Sequence, residues 1–191
     1  MKKLILLAVL VSASAPIWSA PRTTLRKAPF NPKTAPVKWP TIRAGDDYAP
    51  RVAPIQYLLR GRGFYKGPID GVFGAKTLAA VKAFQRKNKL KADGVLGART
   101  LPKLVQVVKR GSHGDAVRAA QILARNAMGH NGELPYAALE ADGFFGATTE
   151  KAVKWAQATR NQFEDRLAEN GVMTPRSWCL MLGGEVIGSQ V

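Results

Sequence analysis

Asp70-Gly71-Val72-Phe73-Gly74-Ala75-Lys76-Thr77 returns 72 residues later as Asp142-Gly143-Phe144-Phe145-Gly146-Ala147-Thr148-Thr149. The register continues with Ala80-Val81 against Ala152-Val153 and with Gln85 against Gln157. Upstream, Gln56 with Leu58-Leu59 matches Gln121 with Leu123; downstream, Asp93-Gly94-Val95-Leu96 matches Asn170-Gly171-Val172-Met173. The offsets of the three blocks are 65, 72 and 77, so the second copy is longer by about seven residues in its first loop and five around its second helix. A self-similarity of this kind marks one small unit used twice.

The physics of the unit is readable from its first copy. Val52, Ile55, Leu58 and Leu59 form an apolar stripe at helical spacing, with Pro54 placed in the first turn, where its missing N–H costs nothing. Gly61, Gly63, Gly67, Pro68 and Gly71 then break the pattern. A second helix is predicted from near Gly74 to about Lys89, with Leu78, Val81 and Phe84 inward and Lys82, Arg86 and Lys89 outward. After the Asp93-Gly94 turn, Leu101, Leu104, Val105 and Val108 suggest a third, short helix. In the second copy Val153, Ala156, Phe163 and Leu167 keep a helical spacing, which predicts a longer second helix. The expected fold class is all-α: two tandem three-helix-bundle modules with Gly-rich loops, residues 46–106 and 107–184, followed by a tail, 185–191. Asp-Gly with a following Thr is turn-and-cap chemistry, since Asp accepts from backbone N–H groups and Gly permits positive φ.

The N-terminus has a different character. Met1-Lys2-Lys3, the apolar run Leu4 to Val11 and the small residues Ser12 to Ala15 have the layout of a secretory signal peptide, taken here as residues 1–20. The run is too short to span a bilayer. Residues 21–45 hold Pro21, Pro29, Pro32, Pro36 and Pro40 among Arg and Lys, so an extended, unpacked, basic Pro-rich linker is expected there. Export to the periplasm or the cell-wall exterior follows from the leader. The formal charge of +16 is uneven: residues 21–45 carry six basic and no acidic side chains, 46–104 twelve and four, 105–191 nine of each. The basic half therefore has the charge expected of a surface that faces a polyanion, though charge alone does not name which one. Cys179 is the only cysteine, so no internal disulfide is available and a buried apolar role is expected for it.

The string Ile55-Gln56, Leu59, Gly63-Phe64-Tyr65, Gly67, Ile69-Asp70-Gly71, Phe73-Gly74, Thr77, Ala80-Val81, Phe84-Gln85, Leu90, Asp93-Gly94, Gly97 and Thr100 closely resembles the peptidoglycan-binding module carried by bacterial wall hydrolases and L,D-transpeptidases. Lys109 to Ser112, Gly114-Asp115, Val117 and Gln121 resemble the same opening. The resemblance covers roughly residues 46–182 and implies a carrier that holds a partner enzyme on peptidoglycan. The second copy departs from it, with Ala156 where the first has Phe84 and Asn170 where it has Asp93, which puts binding by that copy in doubt. Peptidoglycan offers sugars with apolar faces and peptide stems with carboxylates, so a site wants aromatics beside cations. Arg62, Phe64, Tyr65, Lys66 and Asp70 are the candidate ligand-binding residues. For Phe64 and Tyr65 the alternative is that they plug the bundle, and for Asp70 that it only shapes its turn.

No catalytic, metal or cofactor site is expected. A metallopeptidase needs three ligands and a base, but the only histidines, His113 and His130, lack a ligand spacing. Cys179 in Trp-Cys-Leu lacks the context of a transpeptidase nucleophile. Glu164 and Asp165 are adjacent rather than facing across a cleft. The reading is thus an exported, non-catalytic wall-binding protein. The alternatives are a basic envelope protein that binds anionic polymers such as teichoic acid, or a scaffold for another exported protein such as a wall enzyme. No base-stacking platform or amphipathic basic helix points to nucleic acid or to a membrane surface.

Overall fold

The computed structural model describes residues 35–129, 131–161 and 167–187. The leader 1–20, the linker as far as residue 34, His130, Phe163, Glu164 and Asp165 lie outside them. Six helices and one short strand pair make up the described chain. No described helix is long and apolar enough to cross a membrane.

Helix α1 (Ala49–Gly61) places Val52, Ile55, Leu58 and Leu59 on one face, all fully buried. It starts earlier than the sequence implied: Pro50 occupies the first turn and Pro54 lies inside the helix, buried. Helix α2 (Ala75–Lys87) turns Ala80, Val81 and Phe84 inward, while Arg86 and Lys89 are exposed. Helix α3 is a single turn, Leu101–Leu104. Val105 and Val108 fall beyond its end, because Val105 is extended and Val108 bridges to Met173. Helices α4 (Asp115–Arg125), α5 (Ala147–Asn161) and α6 (Pro175–Met181) follow.

Helix α1 packs along α4, and α4 along α5. Ala116, Ala119, Ala120 and Ala124 are buried on α4, so small side chains let these axes approach closely. One apolar cluster runs through both halves, joining Val52 and Leu58 to Val117, Phe145, Val153 and Trp178. Arg60 and Asp115 clamp the α1–α4 seam through two 2.8 Å hydrogen bonds, and Arg118 adds a third at 3.1 Å. Arg60 is more than a third exposed, so water screens this pair. Asp115→Asn is expected to cost about 1 kcal/mol in urea denaturation; no change would mean that the seam holds by packing alone.

The linker reading needs correction at its C-terminal end. Val37–Lys38 forms strand β1, antiparallel to β2 (Glu185–Val186), so the tail is also paired. Ile42 exchanges both backbone hydrogen bonds with Leu96, at 2.9 and 2.8 Å, and is fully buried. The stretch is extended as its prolines require, but its few bulky groups supply apolar surface to the body. Ile42→Val should cost about 1 kcal/mol in the same assay, whereas an unpacked tether would show no loss.

The described part of α5, Ala147–Asn161, runs 15 residues against 13 for α2, Phe163 lies outside the described residues, and Leu167 is not helical. The Asn161 carboxamide turns the chain: its Nδ2 donates to the Leu167 carbonyl at 3.0 Å and its Oδ1 accepts from the Leu167 N–H. Leu167 is buried with Leu180 and Val186 in a separate small cluster. Cys179 is fully buried, and its thiol donates to the Lys38 carbonyl.

Candidate functional site

A buried glutamine organises the loop between α1 and α2. The Gln56 carboxamide donates to Asp70 Oδ1 at 2.6 Å and to the Val72 carbonyl at 3.1 Å, and accepts from the Gly71 N–H at 3.0 Å. Asp70 also accepts from the Val72 N–H, and the Thr77 hydroxyl donates to the Val72 carbonyl. Gly71 has φ +72°, and a side chain there would meet the Ala49 Cβ at 2.6 Å, so the turn sits directly on the start of α1.

This arrangement occurs four times. Gln85 holds Asp93, Gly94, Val95 and Thr100 in the same way. Gln121 does so with Asp142, Gly143, Phe144 and Thr149. Gln157 repeats it with Gly171, Val172 and Ser177, and Asn170 accepts from the Val172 N–H as the aspartates do. All four glutamines are buried. From glutamine to the residue opening the turn is 14 residues at Gln56 and 21 at Gln121, so the seven extra residues are looped out without disturbing the bonds.

The carboxylates in these turns are held below the ordinary aspartate value. Asp70 is lowered first by the hydrogen bond from Gln56 and then by the Val72 N–H. Asp93 and Asp142 are lowered first by the backbone N–H two residues on, then by Gln85 and Gln121. Asp115 is lowered chiefly by its hydrogen bond with Arg60. A carboxylate with a depressed folded value contributes stability that is complete above its unfolded value, about 3.9, and is lost as pH falls through the folded one. The urea midpoint should therefore show no aspartate-linked loss from neutrality down to about pH 4 and fall below it. A midpoint already falling between pH 7 and 5 would contradict this.

With the turn fixed, the loop ahead of it lies against α2. Phe64, Tyr65, Lys66 and Gly67 face Lys76, Ala79, Ala80 and Ala83 across a groove of about 460 Å³. Phe64 is half-buried and meets Phe84 edge-on, with ring centroids 5.4 Å apart. Tyr65 is only 3% exposed; its hydroxyl donates to the Pro68 carbonyl at 2.6 Å and accepts from Gln56, so it forms a rigid wall. A side chain at Gly67 would lie 2.7 Å from that hydroxyl, so only glycine lets the tyrosine lie across the loop. Lys66 and Lys76 are exposed at the groove, which gives it an alanine floor, an aromatic wall and two cations.

Of the residues expected to bind ligand, Phe64, Tyr65 and Lys66 come together in this groove. Asp70 lines an adjoining hollow of about 240 Å³ with Tyr65 and Lys76. Arg62 is elsewhere: its guanidinium donates to the carbonyls of Lys103, Leu104 and Val105 and closes the end of α3. Lys76 and the alanines of α2 were not among the expected residues; the signal for them was Lys76 inside the repeated octapeptide, where the second copy has Thr148. His113 stacks on Phe144 at 5.0 Å, with backbone pairing between the two residues. Among the described residues no group of three or more His, Cys, Asp or Glu is placed to hold a metal ion.

Residues 48–104 match the family described as a peptidoglycan binding domain. The chain is 33% identical over 141 residues to the N-acetylmuramoyl-L-alanine amidase CwlM of Mycobacterium tuberculosis, covering 68% of this chain and 33% of that protein. It is 45% identical over 58 residues to the spore cortex-lytic enzyme of Bacillus cereus, covering 30% of this chain and 22% of that enzyme. It thus spans a third or less of these relatives. The crystal structure of the SleB N-terminal domain matches at 40% identity with a TM-score of 0.30, over 34% of this chain and 88% of that one. Residues 48–104 are therefore a helical domain that belongs to the family described as a peptidoglycan binding domain.

Proposed function

We propose that this chain is an exported, non-catalytic peptidoglycan-binding protein with two tandem modules, the second of them divergent. The observation that carries the reading is the fourfold glutamine network: two of its members lie in the matched domain and two more lie in residues 107–184, Gln121 with the same set of bonds and Gln157 without the bond to the residue that opens its turn. The similarity to the mycobacterial amidase supports it, since 141 residues is more than twice the matched domain. Ligand binding belongs to the α2 groove of the first module, where sugar faces lie on the alanine floor and Phe64, and stem carboxylates meet Lys66 and Lys76.

The non-catalytic part rests on what the reactive side chains are doing. Asp70, Asp93 and Asp142 are taken up in turns, His113 in a ring stack and Cys179 in the interior. Purified sacculi incubated with the protein should retain it in the pellet and release no muropeptides into solution. Release of soluble fragments by the pure protein would overturn the non-catalytic reading.

A further inference from the structure

Packing α1 along α4 leaves a second concavity, of about 260 Å³, that shares no lining residue with the α2 groove. Its walls come from both halves of the chain: Tyr48 and Arg51 at the start of α1, Met128 beyond α4, Thr159 and Arg160 on α5, and Met181 on α6. Leu123, Ala127, Ala156 and Leu182 make its floor apolar. Among the described residues that line it are two guanidiniums and no carboxylate. Arg51 meets Asp46 only at 3.5 Å and lies over the Tyr48 ring at 5.7 Å, and Arg160 reaches the Gly184 carbonyl at 3.4 Å. Tyr48 and Met128 stand at its rim, 57% and 61% exposed, and are open to a ligand.

We propose that this cleft is a second binding site, for the carboxylate end of a short peptide with small apolar side chains, such as a peptidoglycan stem. The inference rests on the wall-binding reading for the source of its ligand. The volume lies just below the range of small-molecule pockets and suits a dipeptide end rather than a disaccharide. Methionines and alanines accept methyl-sized side chains, and guanidiniums pair with carboxylates in two-pronged fashion. The second half thus contributes to ligand capture through residues that share this cleft with the start of α1.

The test uses the full chain with labelled methionine methyls and N-acetyl-D-alanyl-D-alanine as probe, beside its C-terminal amide. The Met128 and Met181 methyl signals should shift saturably with the acid, and Met173, which is buried elsewhere, should stay still. The amide should bind at least tenfold more weakly, as should the acid to Arg51→Gln. Ala127→Leu, which fills the floor without changing charge, should abolish the shifts. Equal shifts with acid and amide, or none up to about 10 mM probe, would overturn the proposal even where sacculus binding is intact. Loss of sacculus binding with the methyl shifts preserved would instead fault the wall reading.

Discussion

Gln56→Glu should lower the melting temperature by about 6–12 °C, the equivalent of roughly 3 kcal/mol for a chain of this size. The substitution is nearly isosteric, so no cavity is made. What changes is the sign of the bonds. A carboxylate has no N–H to give to Asp70 at 2.6 Å or to the Val72 carbonyl at 3.1 Å, and it sets two negative groups together in a buried site. The loss should shrink as pH falls and one carboxyl takes a proton. Gln157→Glu should be milder, because the turn beside it is opened by Asn170, which carries no charge. Thermal melts of both variants at pH 7 and pH 4.5 decide this; equal melting temperatures for wild type and Gln56→Glu would remove the network from the account of the fold.

The second large effect concerns binding. Lys66→Glu with Lys76→Glu should weaken binding to sacculi at least tenfold at physiological salt, because both cations flank the alanine floor and stem carboxylates have no other cation lining that groove. Arg86→Glu with Lys89→Glu makes the same change of net charge on exposed positions outside the groove and should weaken binding less than twofold. Equal losses from the two pairs would mean that the protein reads general negative charge and would favour the anionic-polymer alternative.

Much of this was legible before any coordinates. Helices α1 and α2 follow from Val52, Ile55, Leu58, Leu59, Val81 and Phe84, whose spacing leaves one way to bury them. The turns follow from Asp-Gly. The role of the glutamines was not legible: Gln56 and Gln85 were visible only as letters that matched Gln121 and Gln157. A buried glutamine on an apolar helix face acquires meaning only when the turn it serves is in place, 14 residues away for Gln56 and 8 for Gln85. The recurrence within the first module, Gln56 to Thr77 and again Gln85 to Thr100, was hidden because the loop lengths differ.

The N-terminal stretch misled for a related reason. Prolines at Pro36 and Pro40 correctly implied extended backbone, but extension does not decide packing. Ile42 was one of a few bulky apolar residues scattered among prolines and cations, and its partner Leu96 is 54 positions away. Leu167 continues the 3.6-residue period of α5 in the sequence but is not helical and belongs to another cluster, with Leu180 and Val186. Phe64, Tyr65 and Lys66 were singled out because aromatics beside a cation are conspicuous in a loop, and they line one groove. Arg62 shares that local composition but turns to the α3 carbonyls, a choice that depends on where α3 ends.

The most direct measurement is co-sedimentation of the protein with sacculi stripped of attached polymers, across a salt series. Recognition through the groove predicts that the protein still pellets at about 0.15 M salt, where exposed charges more than about 8 Å apart are largely screened. Absence of binding, or binding erased by modest salt, would contradict the claim that this protein recognises the wall itself.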